Sequence, residues 1–341
     1  MTHTAPLNLD DYRNLAKDLL KRLRNNDVEA SDRVVAVRGE TEMAASDLKL
    51  ADAQFVVARE AGYASWYALK QHVPFVEAVD ALDCGDIERL THLIEQNQFL
   101  KTYRCTIGEW YESGYFSGAT LLHHVAGNPI RRPLPANIVA VAALLVSVGF
   151  GQEAAQETVG LVLTSKQASE AEVGAPLIDV LVEAGATIEM DDPDLLNAAL
   201  MNHAPQTAEA LIARGAAFDI RHAAGLGRVD DIRAMLAEGI GVDQVEEALL
   251  FAAVRGEHDA AALLIQHGAK GDVLFPRGDG SRTALHEAAN RGYGGIVELM
   301  LEAGADAGVV DTCYGGTAAG WAEHGGYADL ATRLRTAVGG G

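Results

Sequence analysis

Two adjacent histidines, His123 and His124, follow Thr120, and a histidine pair is a starting point for acid–base work or for metal ligation. The other chemistry-bearing spacings each fall short by one residue. His286-Glu287-Ala288-Ala289-Asn290 approaches H-E-x-x-H, but Asn290 stands where the second zinc ligand belongs, so no metal site is expected. Gly225-Leu226-Gly227 lacks the third glycine of a dinucleotide loop, and Gly114-Tyr115-Phe116-Ser117-Gly118 misses the G-x-S-x-G nucleophile elbow. Arg277-Gly278-Asp279 reads as a turn. Cys84, Cys105 and Cys313 are far apart and odd in number, which argues against a disulfide framework, and no C-x-x-C pair is present. None of these patterns calls for a cofactor.

What remains is a concentration of aromatic side chains. Residues 101–118 hold Tyr103, Trp110, Tyr111, Tyr115 and Phe116, against 20 aromatics in the whole chain. Such a segment either folds down as a local core or presents a binding surface. The loop 127–135 sets Arg131 and Arg132 among three prolines, two cations suited to a carboxylate or phosphate. Two functional arrangements follow. In the first, Trp110, Tyr111, Tyr115 and Phe116 anchor a protein partner, with Arg131 and Arg132 as the polar rim. In the second, the 101–118 segment roofs a pocket in which His124, Glu109, Tyr111 and Arg131 act on a small molecule.

The elements that position these residues repeat. Two large aliphatic residues, two variable positions and a Gly or Asn recur seven times. The instances are Leu93-Ile94 with Asn97, Leu145-Val146 with Gly149, Leu181-Val182 with Gly185, Leu211-Ile212 with Gly215, Met235-Leu236 with Gly239, Leu264-Ile265 with Gly268, and Met300-Leu301 with Gly304. An aliphatic pair packed inward on a last turn, followed by a residue able to take the left-handed conformation, is a helix stop. Successive stops lie 24 to 52 residues apart, the period of a helical solenoid with loop insertions.

Upstream of the last stop, Thr283-Ala284-Leu285-His286-Glu287-Ala288-Ala289 leads through Gly292 to Gly304-Ala305-Asp306. This resembles the ankyrin repeat, whose unit opens T-P-L-H-x-A-A and closes G-A-D. Thr120-Leu121-Leu122-His123-His124-Val125-Ala126 repeats the opening, and the resemblance gives His123 a structural role at the helix start through Thr120. Thr317-Ala318-Ala319-Gly320-Trp321-Ala322 looks like a terminal repeat, with Gly320 where the family has His or Asp. The units 195–215, 220–239 and 245–268 are read as lacking the Thr and His. Leu50-Ala51-Asp52-Ala53-Gln54, continuing through Ala58-Arg59-Glu60 to Ser65-Trp66, resembles the helical leader of a group of bacterial ankyrin proteins. It is expected to form a helix capped by Asp47 that buries Phe55, Val57, Trp66 and Leu69. An earlier helix over 9–25 sets Tyr12, Leu15, Leu19 and Leu23 inward, with Lys17, Lys21, Arg22 and Arg24 on its other face. These helices would cover the open end of the stack.

The expected fold is therefore an all-α ankyrin-repeat solenoid of about eight helix pairs. Residues 1–74 form an N-terminal helical cap, 75–338 the repeats, and insertions fall at 101–118, 127–136 and 270–282, the last carrying Phe275 and Asp279. The net charge of −21 is concentrated in residues 73–341, which hold 17 Lys/Arg against 37 Asp/Glu. Without a basic stripe, neither nucleic acid nor an anionic membrane surface is an expected partner. The longest nearly apolar run, 138–150, is too short to span a bilayer, and no secretory signal opens the chain. A cytoplasmic location follows as the default. The resemblance implies a non-catalytic scaffold or adaptor that binds a protein through its concave face and the aromatic insertion. The alternative is an enzyme or small-molecule binder with its ligand in that groove.

Overall fold

The computed structural model describes residues 8–39, 48–108, 111–112, 114, 116–192, 194–277 and 280–339. The chain opens with α1 (Leu9–Arg24), capped reciprocally: the Asp11 N–H donates to Asn8 Oδ1 and the Asn8 N–H to Asp11 Oδ2. Asp27 caps α2 (Val28–Arg38) by accepting from the Ala30 N–H, and it also accepts from Arg22. The expected cap of the next helix, Asp47, lies outside the described residues. α3 (Leu50–Glu60) starts with the Lys49 N–H donating to the Asp52 carboxylate at 2.7 Å. Ala16, Leu19, Leu20 and Leu23 of α1 meet Val34, Val56 and Val57 in a shared core, while Phe55 lies under the Arg38 guanidinium. Leu15 was expected inside and is 43% exposed. The buried stripe runs 16, 19, 20, 23, one residue round the helix from the expected face.

α4 (Trp66–Asp83), capped by Ser65, runs unbroken through residue 74, where the sequence reading put the end of the cap. It packs on α1 and α3 and also on α5 (Ile87–Gln96). Beyond α5 come a 3-10 turn over Gln98–Lys101, a second over Leu121–Ala126, and α6 (Ile138–Ser147). α7 (Gln152–Leu163), α8 (Lys166–Glu170) and α9 (Gly174–Glu183) follow. The remaining helices are α10 (Leu195–Met201), α11 (Pro205–Ile212), α12 (Ile220–Gly225), α13 (Val229–Ala237), α14 (Val242–Arg255) and α15 (His258–Gln266). A two-stranded hairpin, β1 (Phe275–Arg277) with β2 (Gly280–Arg282), precedes α16 (Ala284–Asn290), α17 (Gly294–Glu302), α18 (Ala318–His324) and α19 (Ala328–Gly339). Seven pairs pack together among the described residues: α4–α5, the 121–126 turn with α6, and then α10 to α19 taken two by two, with α7, α8 and α9 between them in the chain. Except for the hairpin, the architecture is all-α.

Two compact units divide the chain, one of residues 1–159 and 176–186 and the other of 160–175 and 187–341. In the second, α10, α12, α14, α16 and α18 stack in one row, and α13, α15 and α17 stack in another behind it. The 270–282 insertion forms the hairpin, with Phe275 opposite Arg282. The outer side of β2 is held by the Thr312 N–H donating to Ser281 O and the Ser281 N–H to Thr312 Oγ1.

Six of the seven stop residues behave as their type dictates. Gly149, Gly185, Gly215, Gly239, Gly268 and Gly304 have φ between +85° and +102°, a region costly for residues with a Cβ. Asn97 does not: its φ is −132°. Its side-chain amide instead donates to Leu93 O, and the chain passes directly into the 98–101 turn.

The starts of the row helices share a second device. The Thr120 N–H donates to His123 Nδ1, and the Thr283 N–H donates to His286 Nδ1. An imidazole nitrogen that accepts a backbone N–H is unprotonated, so in each neutral ring Nε2 carries the proton. It donates to Glu157 from His123 and to Gly316 O from His286. One middle unit corrects the sequence reading, because Asp219 and His222 form the same box at the start of α12. The Asp219 N–H donates to His222 Nδ1, and Asp219 Oδ1 accepts from the Arg221 N–H. Aspartate caps a helix as well as threonine does, so Asp-x-x-His builds the box without the Thr.

Candidate functional site

The aromatic insertion turns inward. Tyr111 is 8% exposed and Phe116 4%; the two rings stack on each other and both pack with His124, and Tyr111 also meets Phe75 of α4. Phe75 meets Tyr103, Tyr111 and His124 edge-on at 5.3, 5.7 and 5.6 Å. The segment is pinned by a pair of backbone bonds, Cys105 N–H to Ala119 O and Gly118 N–H to Cys105 O. Tyr111 and Phe116 therefore do not present an anchor to a partner. With a large apolar face available on α4, the rings are worth more buried against Phe75 than exposed to water. Trp110, Tyr115 and Glu109 lie outside the described residues.

The polar groups of this cluster satisfy one another. His124 Nδ1 lies 2.8 Å from Thr120 O, a carbonyl that only accepts, so Nδ1 carries the proton. Full burial, with a smaller contribution from Arg131, pushes the His124 pKa well below its ordinary value and keeps the ring neutral. Its Nε2 is then an acceptor, and the Tyr111 hydroxyl donates to it at 2.8 Å. Burial raises the Tyr111 phenol to about 12. It also raises the Cys105 thiol, which lies 3.5 Å from His72 Nδ1, and lowers the pKa of His72. Beside the cluster, burial alone would raise the Glu157 carboxyl. Arg104 and His123 outweigh that effect and hold it below its usual range.

Arg131 and Arg132 differ. Arg131 makes two bonds of 2.9 Å to the Asp83 carboxylate, and its side chain is 13% exposed against 10% for its partner. A cation so engaged offers no rim to an incoming group. Arg132 stays at the surface, 3.1 Å from Asp80. The small-molecule arrangement fares no better at its described members. His124 and Tyr111 are joined to each other inside the core, and Arg131 is committed to Asp83. The described members of that set are thus committed to protein partners.

An open cleft lies elsewhere, in the second unit. A space of about 520 Å³ is bounded by α10, α14 and the hairpin. Met201, Leu250, Phe251 and Phe275 give it an apolar side, and Asn197, Asn202, Glu247 and Arg282 a polar one. Its side chains are fixed from behind. His222 Nε2 donates to Asn197 Oδ1, and Asn197 Nδ2 donates to Asp194 Oδ1 at 2.6 Å. Arg221 donates to Asp219 at 2.7 Å and to Glu247 at 3.2 Å, with Asp194 at 3.9 Å. Arg282 stacks 4.8 Å over the Trp321 ring, with Glu287 at 3.7 Å. The sequence reading singled out none of these cleft residues except Phe275. The signals were there in the acidic run Glu189-Met190-Asp191-Asp192-Pro193-Asp194 and in the Asp219–His222 box.

The repeated stops, the capping boxes and the stacked rows agree with what comparison shows. Residues 167–311 match the family model for ankyrin repeats, in three copies. This span consists of ankyrin repeats. The matched ankyrin span begins downstream of the 50–66 leader and takes in α10 to α17, the hairpin and the cleft. No curated protein matches the chain. Ankyrin repeats indicate a protein-interaction module, and no helix among the described residues is long and apolar enough to cross a membrane.

Proposed function

We propose that this ankyrin-repeat chain is a non-catalytic adaptor that holds its protein partner in the cleft between α10, α14 and the hairpin. One observation carries the reading: a space of about 520 Å³, roofed by an inserted hairpin and lined by polar and aromatic side chains, on the row-helix face. The burial of Tyr111 and Phe116 moves the partner away from the 101–118 insertion, whose described residues stabilise the neighbouring pair. Binding sites favour such concave places with a few convergent polar groups.

The test is affinity capture from a lysate of the source organism, comparing the wild type with Ala198→Trp/Asn202→Trp. Both positions line the cleft and are not buried, so the double variant fills the space while the fold, checked by thermal unfolding, persists. A protein held near stoichiometrically by the wild type and lost from the variant supports the reading. Retention of nothing specific, together with a small metabolite that raises the melting temperature, replaces it with a small-molecule site.

A further inference from the structure

The cleft's electrostatics identify what enters it. We propose that its occupant is an extended peptide segment that places a Lys or Arg side chain on the Oε2 of Glu247 left over from Arg221, and an adjoining apolar side chain against Phe275. The proposal rests on the adaptor reading, which makes the occupant part of a protein.

Charge beside the cleft, around its lining residue Glu247, is unbalanced. Three carboxylates, Asp194, Asp219 and Glu247, surround the single guanidinium of Arg221, leaving two negative charges uncompensated. Glu247 spends Oε1 on Arg221, and among the described residues its Oε2 takes no partner. The cation in the lining, Arg282, shares the buried Glu287 with Arg291 and is covered by Trp321. The loop leading into α10 adds exposed Glu189, Asp191 and Asp192, with no Lys or Arg between 187 and 213. Over 187–341 as a whole, 11 Lys/Arg face 23 Asp/Glu. A cleft with low-dielectric walls focuses such a field and draws in cations.

The shape suits a long cationic side chain better than a compact ion. Lys and Arg lay an aliphatic stem along apolar surface while the charged head stays with polar groups. Here the stem has Met201 and Phe251, and the head has Glu247. The exposed Asn202 donates its amide to Ala198 O and leaves its carbonyl oxygen toward solvent, an acceptor for a peptide N–H.

Panning a phage-displayed library of random 12-residue peptides on the full chain tests this. Enriched peptides are then titrated against the wild type, Glu247→Lys and Asp194→Lys. The second variant protects the interpretation, since the Asp194 side chain is 75% exposed and makes no cap bond to α10. The expected result is enrichment of peptides that pair Lys or Arg with Leu, Met or an aromatic residue. Each charge reversal should weaken binding at least about tenfold, and added salt should weaken it further. Peptides that enrich without cations, or that bind both variants as well as the wild type, overturn the basic occupant and leave the adaptor reading standing. No enrichment at all overturns the peptide proposal. If capture also retains no protein, the adaptor reading falls with it.

Discussion

Replacing Tyr111 by Phe deletes one hydroxyl from the core of the first unit and nothing else. The ring keeps its contacts with Phe75 and Phe116, both at 5.7 Å, so no cavity opens. What is lost is the O–H that donates to His124 Nε2 at 2.8 Å. That nitrogen is then a fully buried acceptor with no donor, which costs about 1–3 kcal/mol. At roughly 1.4 kcal/mol per tenfold, local opening should become about 5- to 150-fold more frequent. Hydrogen exchange by mass spectrometry over residues 103–126 reads this directly, because the Cys105 and Gly118 amides are bonded across the base of the insertion. A second background isolates the bond. His124→Asn keeps a donor for Thr120 O but removes Nε2, and in that background Tyr111→Phe should cost under about 0.5 kcal/mol. Exchange at Cys105 and Gly118 that stays within about twofold of wild type in Tyr111→Phe would refute the reasoning, since a buried unpaired acceptor cannot be free of cost.

Three further perturbations separate the interactions described above. Arg131→Met leaves the Asp83 carboxylate buried and unpaired and should cost about 3 kcal/mol in urea unfolding, whereas Arg132→Ala, at an exposed pair, should change stability by less than about 1 kcal/mol. Gly239→Ala meets only the strain of φ +92°, about 1–2 kcal/mol; Gly256→Ala should cost clearly more, because at φ +81° its Cβ also lands 2.7 Å from the Tyr293 ring. Burial lowers the pKa values of His72, His123, His124, His203 and His286. The unfolded chain therefore binds more protons below about pH 6.5, and stability present above that value is lost as the pH falls through it, by up to about 1.4 kcal/mol per pH unit for each histidine. A urea midpoint unchanged between pH 7.5 and 5.5 would contradict that assignment.

What the sequence made legible was whatever a residue type fixes by itself. A glycine four positions after an aliphatic pair closes a helix because it alone takes positive φ cheaply, and six such positions do so. Asn97 met the pattern and failed it, since asparagine has a second use for its side chain, here the bond to Leu93 O. The Asp219–His222 box went unseen for the converse reason: two residue types do the same capping work, and only one was sought. Burial was the least legible. Whether Tyr111 faces water depends on Phe75, 36 residues upstream, and whether Arg131 is a free cation depends on Asp83, 48 residues upstream. Nothing local to 101–118 or 127–136 encodes either neighbour.

The same distinction explains why the proposed partner site lies in the second unit and not at the aromatic insertion. Aromatic density marks surfaces that bind and cores that pack with equal force, because both reward the removal of large rings from water. The charges around Arg221 are less ambiguous. A core does not gather three carboxylates around one guanidinium without also supplying donors for the oxygens left over. Asp219 is supplied in that way, by the Arg221 N–H and side chain. Among the described residues Glu247 Oε2 is not, and Asp194 accepts only from Asn197 and lies 3.9 Å from Arg221. If that excess serves an incoming cation, neutralising it with Glu247→Gln should leave folding stability within about 0.5 kcal/mol, because the glutamine Oε1 still accepts from Arg221, which also keeps Asp219, while weakening a basic peptide. If it serves the fold, the same change should lower the urea midpoint and leave peptide binding alone. The two expectations point in opposite directions for a single substitution, so one unfolding curve and one titration decide between them.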